Sequence, residues 1–211
     1  MLVIRLFLFA LGCCAFLAAA KAEESSTRSV TIIEDPDQNA SALVDLTSQA
    51  GNSAGLTIDI LPSPDLRIGS AISIRVGAKR SGYVMVLDID AGGKLRQIFP
   101  NRATLAQPAD SRKVANLLEG GKVMTVPESV DPRLHLVVGP PTGIAMIVAV
   151  LSEQSLQLLD LPDVPPELMG RVEALKYIVE AARTLRIEPR EGKGRFIEPK
   201  LSFAAKFYRV H

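Results

Sequence analysis

The sequence predicts a mainly β protein: an antiparallel β-sandwich, either Ig-like or a small barrel, with one C-terminal amphipathic helix and a final strand. Three observations lead to this fold class. Apolar and polar residues alternate in short runs that begin at residue 56, as in strands with one buried face. Gly and Pro lie between the runs, where turns are needed. Helical periodicity appears only after residue 165.

The first 22 residues have the parts of a secretory signal peptide. Arg5 precedes an apolar run from Leu6 to Ala20, and Ala20-Lys21-Ala22 then matches the small-residue pattern that signal peptidase cuts. The run is shorter than the ~20 apolar residues that span a bilayer. We therefore expect an exported chain, periplasmic or secreted, with no stable membrane span after cleavage.

Two alternatives to cleavage after Ala22 stay open, a retained anchor and lipidation at Cys13 or Cys14. Lipidation fits poorly, because Ala10-Leu11-Gly12 puts the bulky residue in the wrong place before the cysteine. Cleavage would remove both cysteines of the chain. The mature protein would then rely on an ordinary core rather than on disulfides.

Composition supports such a core and argues against some ligands. Hydrophobic residues make up 47% of the chain, and the mature part carries 22 basic against 23 acidic residues, a net charge of −1. A nucleic-acid-binding protein usually has a basic surplus, so we expect no nucleic-acid partner. Trp is absent and aromatic residues are only 5%, which disfavours a sugar-stacking site.

The mature chain divides into a leader and one domain. Residues 23–55 are rich in Ser, Asp, Asn, Gln and Ala, with one strand-like run at 29–33, and we expect a flexible leader. Residues 56–211 form the predicted single domain. Its strand-like runs are 56–61, 71–76, 83–88, 95–99, 122–127, 134–138 and 142–151. We expect consecutive strands to pair as hairpins, and the last run to be more fully buried because it is apolar throughout.

A helix is predicted over 166–186, starting at Pro165-Pro166. Its apolar residues recur at spacings of three and four, at Leu168, Val172, Leu175, Val179 and Ala182. We expect this helix to pack on its own sheet; the alternative is a helix that docks a partner. The last run, 201–210, is strand-like and is expected to return to the sheet.

Residues with catalytic chemistry are few. The chain has two histidines, His135 in a strand-like run and His211 at its end, where we expect mobility. Once cleavage has removed both cysteines, and without a second placed histidine, zinc and cysteine-nucleophile mechanisms are close to excluded. Asp88 and Asp90 are a possible carboxylate pair, but no spacing ties another acid to them. We therefore predict no catalytic residue, no metal ligand and no cofactor.

The stretch from Asp88 to Gly93 resembles the start of a calcium loop, since it offers oxygen ligands at alternate positions. An EF-hand loop needs Glu at its twelfth position, where this chain has Phe99. We favour a hairpin turn in which Gly92 or Gly93 has positive φ. Residues 139–143 are read as a rigid turn, because two prolines there remove the amide donors that a phosphate needs.

Several anchors together resemble the family called domain of unknown function 4384, over about residues 56–152. They are Gly69, Gly82-Tyr83, Asp90-Ala-Gly-Gly-Lys94, Phe99-Pro100-Asn101, Pro127 and Gly139-Pro-Pro-Thr-Gly143. The resemblance implies a compact bacterial β-sandwich-like module, exported or attached to caspase-like peptidases, protein kinases or repeat proteins, with no established activity. One departure is that Ile144 and Ala145 follow the last loop, where family members often have an acidic residue.

These observations indicate an exported, noncatalytic module of the bacterial envelope that binds a protein partner or a surface polymer. Its candidate interaction edge is Tyr83 together with Phe99, Pro100 and Asn101. Two alternatives stay open: a carboxylate-dependent hydrolase of the periplasm, and a cation-stabilised structural domain.

Overall fold

The computed structural model describes residues 51–101, 115–127, 135–185 and 198–211. These residues form ten strands and one α-helix. The strands are β1 (Thr57–Leu61), β2 (Asp65–Leu66), β3 (Ala71–Gly77), β4 (Gly82–Ile89), β5 (Leu95–Phe99), β6 (Leu117–Leu118), β7 (Val123–Val126), β8 (Leu136–Val137), β9 (Gly143–Ser152) and β10 (Leu201–Val210), and the helix is α1 (Val172–Arg183). The predicted signal peptide, the strand-like run at 29–33 and most of the leader lie outside the described residues.

The strands form two sheets. The smaller sheet has the order β1-β3-β7, and β8 also pairs with β3. The larger has the order β2-β10-β9-β4-β5, and β6 also pairs with β4. All pairings are antiparallel except that of β2 with β10.

The two sheets bury a shared apolar core. Ile74 and Val76 of β3 belong to one buried cluster with Val84 of β4 and Leu151 of β9, which come from the other sheet. Inward-facing residues alternate with outward-facing ones along β3, as its period-two pattern predicts. The mainly β, antiparallel sandwich is therefore confirmed, in open form: the described strands do not close into a barrel.

A third layer covers the outer face of the larger sheet. Leu175 and Ile178 of α1 are buried in a second cluster with Leu87 of β4, Val148 of β9 and Phe207 of β10. The central strands β4 and β9 are consequently buried on both faces. This confirms the prediction that the run 142–151 is more fully buried, and that the helix packs on its own sheet.

The helix is shorter than predicted. A 3₁₀ turn, Pro166–Leu168, follows Pro165, and Gly170 then has a φ of 77°. That left-handed conformation cannot continue a right-handed helix, so α1 begins only at Val172. The predicted end at residue 186 lies outside the described residues, and α1 ends at Arg183.

The expected pairing of consecutive strands as hairpins is only partly correct. Strands β4 and β5 form a hairpin, but β3 and β4 belong to different sheets. The neighbour of β4 on its other side is β9, far along the chain. The physical reason is burial: β4 and β9 are the strands most apolar on both faces, so they occupy the middle of the larger sheet.

The edge strand β5 is covered by the segment that follows β9. The amide of Leu95 donates to Asp163 Oδ1 at 2.8 Å, and the side chain of Gln97 bonds the backbone of both Gln157 and Leu159. Val164 N donates to Gly93 O at 2.8 Å. These bonds occupy groups that an open edge would present to other chains.

Both ends of the described domain are tied to it. Ala54, in the last part of the predicted leader, is buried, and its amide donates to Ser202 Oγ of β10. Strand β10 has the predicted bounds and pairs with β9 along its whole length. His211, expected to be mobile, instead hydrogen-bonds Asp65 at 2.6 Å and the backbone of Leu66.

Among the residues that the structure describes, we find no helix with the length and apolar character of a membrane span.

Candidate functional site

A cavity of about 240 Å³ lies between the two sheets, at the end of the sandwich where β4 ends and β9 begins. Its lining combines apolar side chains with a small charged group. The apolar part includes Ile72, Ile98, Leu136, Val137, Val138, Ala145, Ile147 and Val210, and the polar part consists of Asp88, Asp90, Arg96, Gln97 and Tyr208.

The hairpin that joins β4 to β5 fixes one side of the cavity. Asp90 Oδ1 accepts the amides of Gly92 at 2.9 Å and Lys94 at 3.0 Å, and Gly93 has a φ of 85°. Asp and Gly are the residues that such a turn requires. The hairpin interpretation of this stretch is therefore confirmed. Within the described residues, no group of three or more His, Cys, Asp and Glu is placed to hold a metal ion.

Asp88 is the buried charge of the site. It follows Val84 and Val86 at period two on the inner face of β4, and only 9% of it is exposed. Its Oδ1 accepts the hydroxyl of Tyr208 at 2.7 Å, and its Oδ2 accepts Arg96 Nη2 at 3.1 Å. Because both oxygens have a donor, the ionised carboxylate is satisfied inside an otherwise apolar region.

The bond between Asp88 and Tyr208 crosses the intervening strand β9. Asp88 is paired with Ile147 of β9, and Tyr208 of β10 is paired with Ala145. Ala145, whose side chain is small, lines the same cavity as the two polar groups. A bulky residue there would compete with them for space.

Burial shifts the protonation equilibria of both partners. It raises the pKa of Asp88, while the Tyr208 hydrogen bond and the charge of Arg96 lower it in part. It also raises the pKa of Tyr208 strongly, and the negative charge and hydrogen bond of Asp88 add to that effect. Tyr208 therefore stays a hydrogen-bond donor across the physiological pH range.

The charged groups of the cavity do not balance. Asp88 and Asp90 carry two negative charges, and Arg96 carries the only positive charge among the described residues of the lining. Arg96 is more than half exposed, whereas the Asp88 side chain it pairs with is 13% exposed. The site can thus hold a small group that is apolar at one end and a hydrogen-bond donor or cation at the other.

The predicted interaction edge is only partly exposed and does not line the cavity. Phe99 and Pro100 are buried, with Phe99 in the core between the sheets. Tyr83 is half-buried and Asn101 is exposed. Whether this edge binds anything stays a prediction, and its exposed part is limited to Tyr83 and Asn101.

Asp88 and Asp90 stand out in the sequence as a possible carboxylate pair, whereas Arg96 and Tyr208 were not predicted as site residues. Arg96 was detectable, since hairpin geometry places it opposite Asp88 on the neighbouring strand. Tyr208 was not, because its position depends on β10 pairing with β9 after a long excursion of the chain. The histidines take no part: His135 is exposed before β8, and His211 bonds Asp65.

Comparison of the chain with curated proteins and with solved structures finds no match. A family model described as "Domain of unknown function (DUF4384)" matches residues 65–155. That region contains all of the cavity lining except Tyr208 and Val210, which β10 supplies. Within residues 65–155 the chain is therefore similar to the DUF4384 family.

Proposed function

We propose that this domain is a noncatalytic binding module of the bacterial envelope, periplasmic or secreted, and that the cavity is its binding site. One observation carries the proposal: a cavity open at the end of the sandwich contains a buried, paired carboxylate, Asp88, among apolar walls. Burying a charge is costly even when it is paired. A cavity that keeps one has the mixed lining typical of ligand sites, apolar with a few placed polar groups.

Binding is favoured over catalysis because the carboxylates of the cavity already accept hydrogen bonds within the protein. Both oxygens of Asp88 already accept hydrogen bonds, and Asp90 Oδ1 holds the hairpin turn. Neither oxygen of Asp88 is therefore placed to exchange a proton with a substrate without first losing a partner.

A hydrolase is the second candidate, and a specific observation supports it. Asp88 and Asp90 line the same cavity, and burial raises the pKa of Asp88, as a general acid requires. The test is turnover of chromogenic glycosides and phosphate esters by the purified protein. Turnover that Asp88→Asn abolishes would establish the enzyme; we expect no turnover by the unaltered protein.

The partner that we propose is another envelope protein. The experiment is crosslinking in cells, with a photoreactive side chain placed at Val137, which lines the cavity and is 61% exposed. Val123 is the matched control: it is a strand valine of the same sheet, 65% exposed, and does not line the cavity. We expect one dominant adduct from position 137 and none from position 123.

Adducts of equal yield from both positions, or none from either in correctly exported protein, would contradict the proposed site.

Export itself is tested by fractionation of cells that carry a C-terminally tagged protein with and without residues 1–22. We expect the full chain outside the cytoplasm and the shortened chain inside it.

A further inference from the structure

The dimensions of the cavity limit what it can hold. Its volume of about 240 Å³ is below the roughly 300–1,000 Å³ that is usual for pockets of drug-sized ligands. The space suits a group of the size of one amino-acid side chain. A protein partner would then insert one side chain as an anchor, in the manner of the buried residues that dominate protein interfaces.

The net charge of the cavity lining determines which charge is favoured on the inserted side chain. Two carboxylates and one guanidinium leave a net charge of −1 at the site. An anionic group would have to be desolvated beside Asp88 and Asp90, and Arg96 is already bonded to Asp88. A cationic group removes the imbalance.

Asp90 offers the free acceptor for such a cation. Its Oδ1 takes both turn amides, and its Oδ2 has no bonded donor among the described residues. Ile72, Leu136 and Val138 form an apolar wall of the same cavity. An aliphatic stem can pack on this wall while its charged end reaches the carboxylates.

We propose that the cavity accepts the end of a lysine side chain of a protein partner, with the ammonium group bonded to Asp90 and its stem on the apolar wall. This inference rests on the proposed function, because it names the chemistry of the partner. Lysine suits the site better than arginine. A planar guanidinium gains most from two parallel bonds to one carboxylate, whereas Asp90 has one oxygen free and the ammonium is a compact charge.

The test uses the whole mature protein and Nα-acetyl-lysine methylamide as the probe, titrated while backbone amide NMR signals are followed. Nα-acetyl-norleucine methylamide, which has the stem but no charge, and Nα-acetyl-glutamate methylamide are the controls. We expect saturable shifts at Asp90, Arg96 and Ala145 with the lysine probe alone. Shifts of the same size with norleucine, or none with lysine, would overturn the assignment.

Two substitutions sharpen the test. Asp90→Asn keeps the Oδ1 acceptor that the turn needs but removes the charge, and we expect it to weaken the lysine probe about tenfold or more. Val137→Lys places a positive charge at the lining of the cavity and should weaken it similarly, while Val123→Lys should leave it unchanged. Equal effects of the two valine substitutions would contradict the site.

The failure of this inference differs from the failure of the proposed function. A partner that crosslinks at position 137, but whose binding Asp90→Asn and Val137→Lys leave unchanged, would keep the binding module and overturn the lysine assignment. Binding of the lysine probe to the cavity without any crosslinked partner would overturn the protein partner and point to a small amine.

Discussion

The hydrogen bond between Tyr208 and Asp88 joins two strands that a third strand separates. Tyr208→Phe removes the donor and leaves a buried carboxylate oxygen without its partner. Because such bonds to charged groups are worth about 1.5–3 kcal/mol, we expect a loss of that order in the free energy of unfolding. Urea unfolding measures it.

Tyr177→Phe on α1 is the control, since Tyr177 is half-buried and no hydrogen bond of its hydroxyl is found in the described part of the chain. It should change the free energy of unfolding by less than about 0.5 kcal/mol. Equal losses in the two variants would show that the Tyr208 bond to Asp88 adds nothing beyond an ordinary tyrosine.

Because of the same hydrogen bond, we expect the free energy of unfolding to fall at alkaline pH. The folded-state pKa of Tyr208 is raised, so above about pH 10 the unfolded chain releases a proton that the folded protein keeps. The free-energy advantage of the unaltered protein over Tyr208→Phe should therefore fall by about 1.4 kcal/mol per pH unit above that point. An advantage that stays constant with pH would contradict a protonated Tyr208 in the folded state.

Asp88 predicts a pH effect in the acid range. Burial raises the pKa of Asp88 in the folded protein above its value in the unfolded chain. Between these two pKa values the folded protein binds more protons than the unfolded chain, so the free energy of unfolding falls as pH rises. Compared with Asp88→Asn, the unaltered protein should be relatively more stable at about pH 3 than at about pH 7. Urea unfolding of both proteins at the two pH values checks it, and a relative stability that rises with pH would overturn the direction.

At the level of elements, the hairpin between β4 and β5 depends on Gly93. A Cβ at this position would meet the carbonyl oxygen of Val164, and the φ of 85° is itself unfavourable for other residues. Gly121 has a similar φ of 77° but open space around its Cβ position. We expect Gly121→Ala to cost about 1–2 kcal/mol and Gly93→Ala clearly more, measured by urea unfolding. Equal costs would mean that the Val164 contact adjusts freely.

The helix α1 stabilises the larger sheet through its buried face. Leu175 is 1% exposed in the cluster that joins α1 to β4, β9 and β10. Leu175→Ala should cost about 2–5 kcal/mol, and the exposed neighbour Lys176→Ala less than about 0.5 kcal/mol. Thermal or urea unfolding of both variants distinguishes a packed helix from one held ready for a partner, for which the two costs would be similar.

At the level of the whole molecule, local patterns predicted the strands better than they predicted the strand order. The bounds of β5 and β10 agree with the strand-like runs predicted at 95–99 and 201–210. Sheet membership did not follow from chain order. It depends on which strands are apolar on both faces, and so lie centrally between the smaller sheet and α1.

In the candidate site, too, local sequence patterns predict some residues, and the others depend on the strand order. Asp88 and Asp90 stand out in the sequence, because a short motif contains both. Their partners do not, since Tyr208 reaches Asp88 only after β10 has paired with β9, and the apolar wall comes from the opposite sheet. A site assembled from two sheets and from residues 120 positions apart has no local signal.

The proposed binding site is the cavity between the two sheets, occupied by a partner. The most direct test is the ratio of crosslinked adduct obtained in cells from position 137 to that from position 123, two valines of one sheet with nearly equal exposure. We expect a dominant adduct from position 137 and background from position 123. Equal yields from the two positions would contradict it.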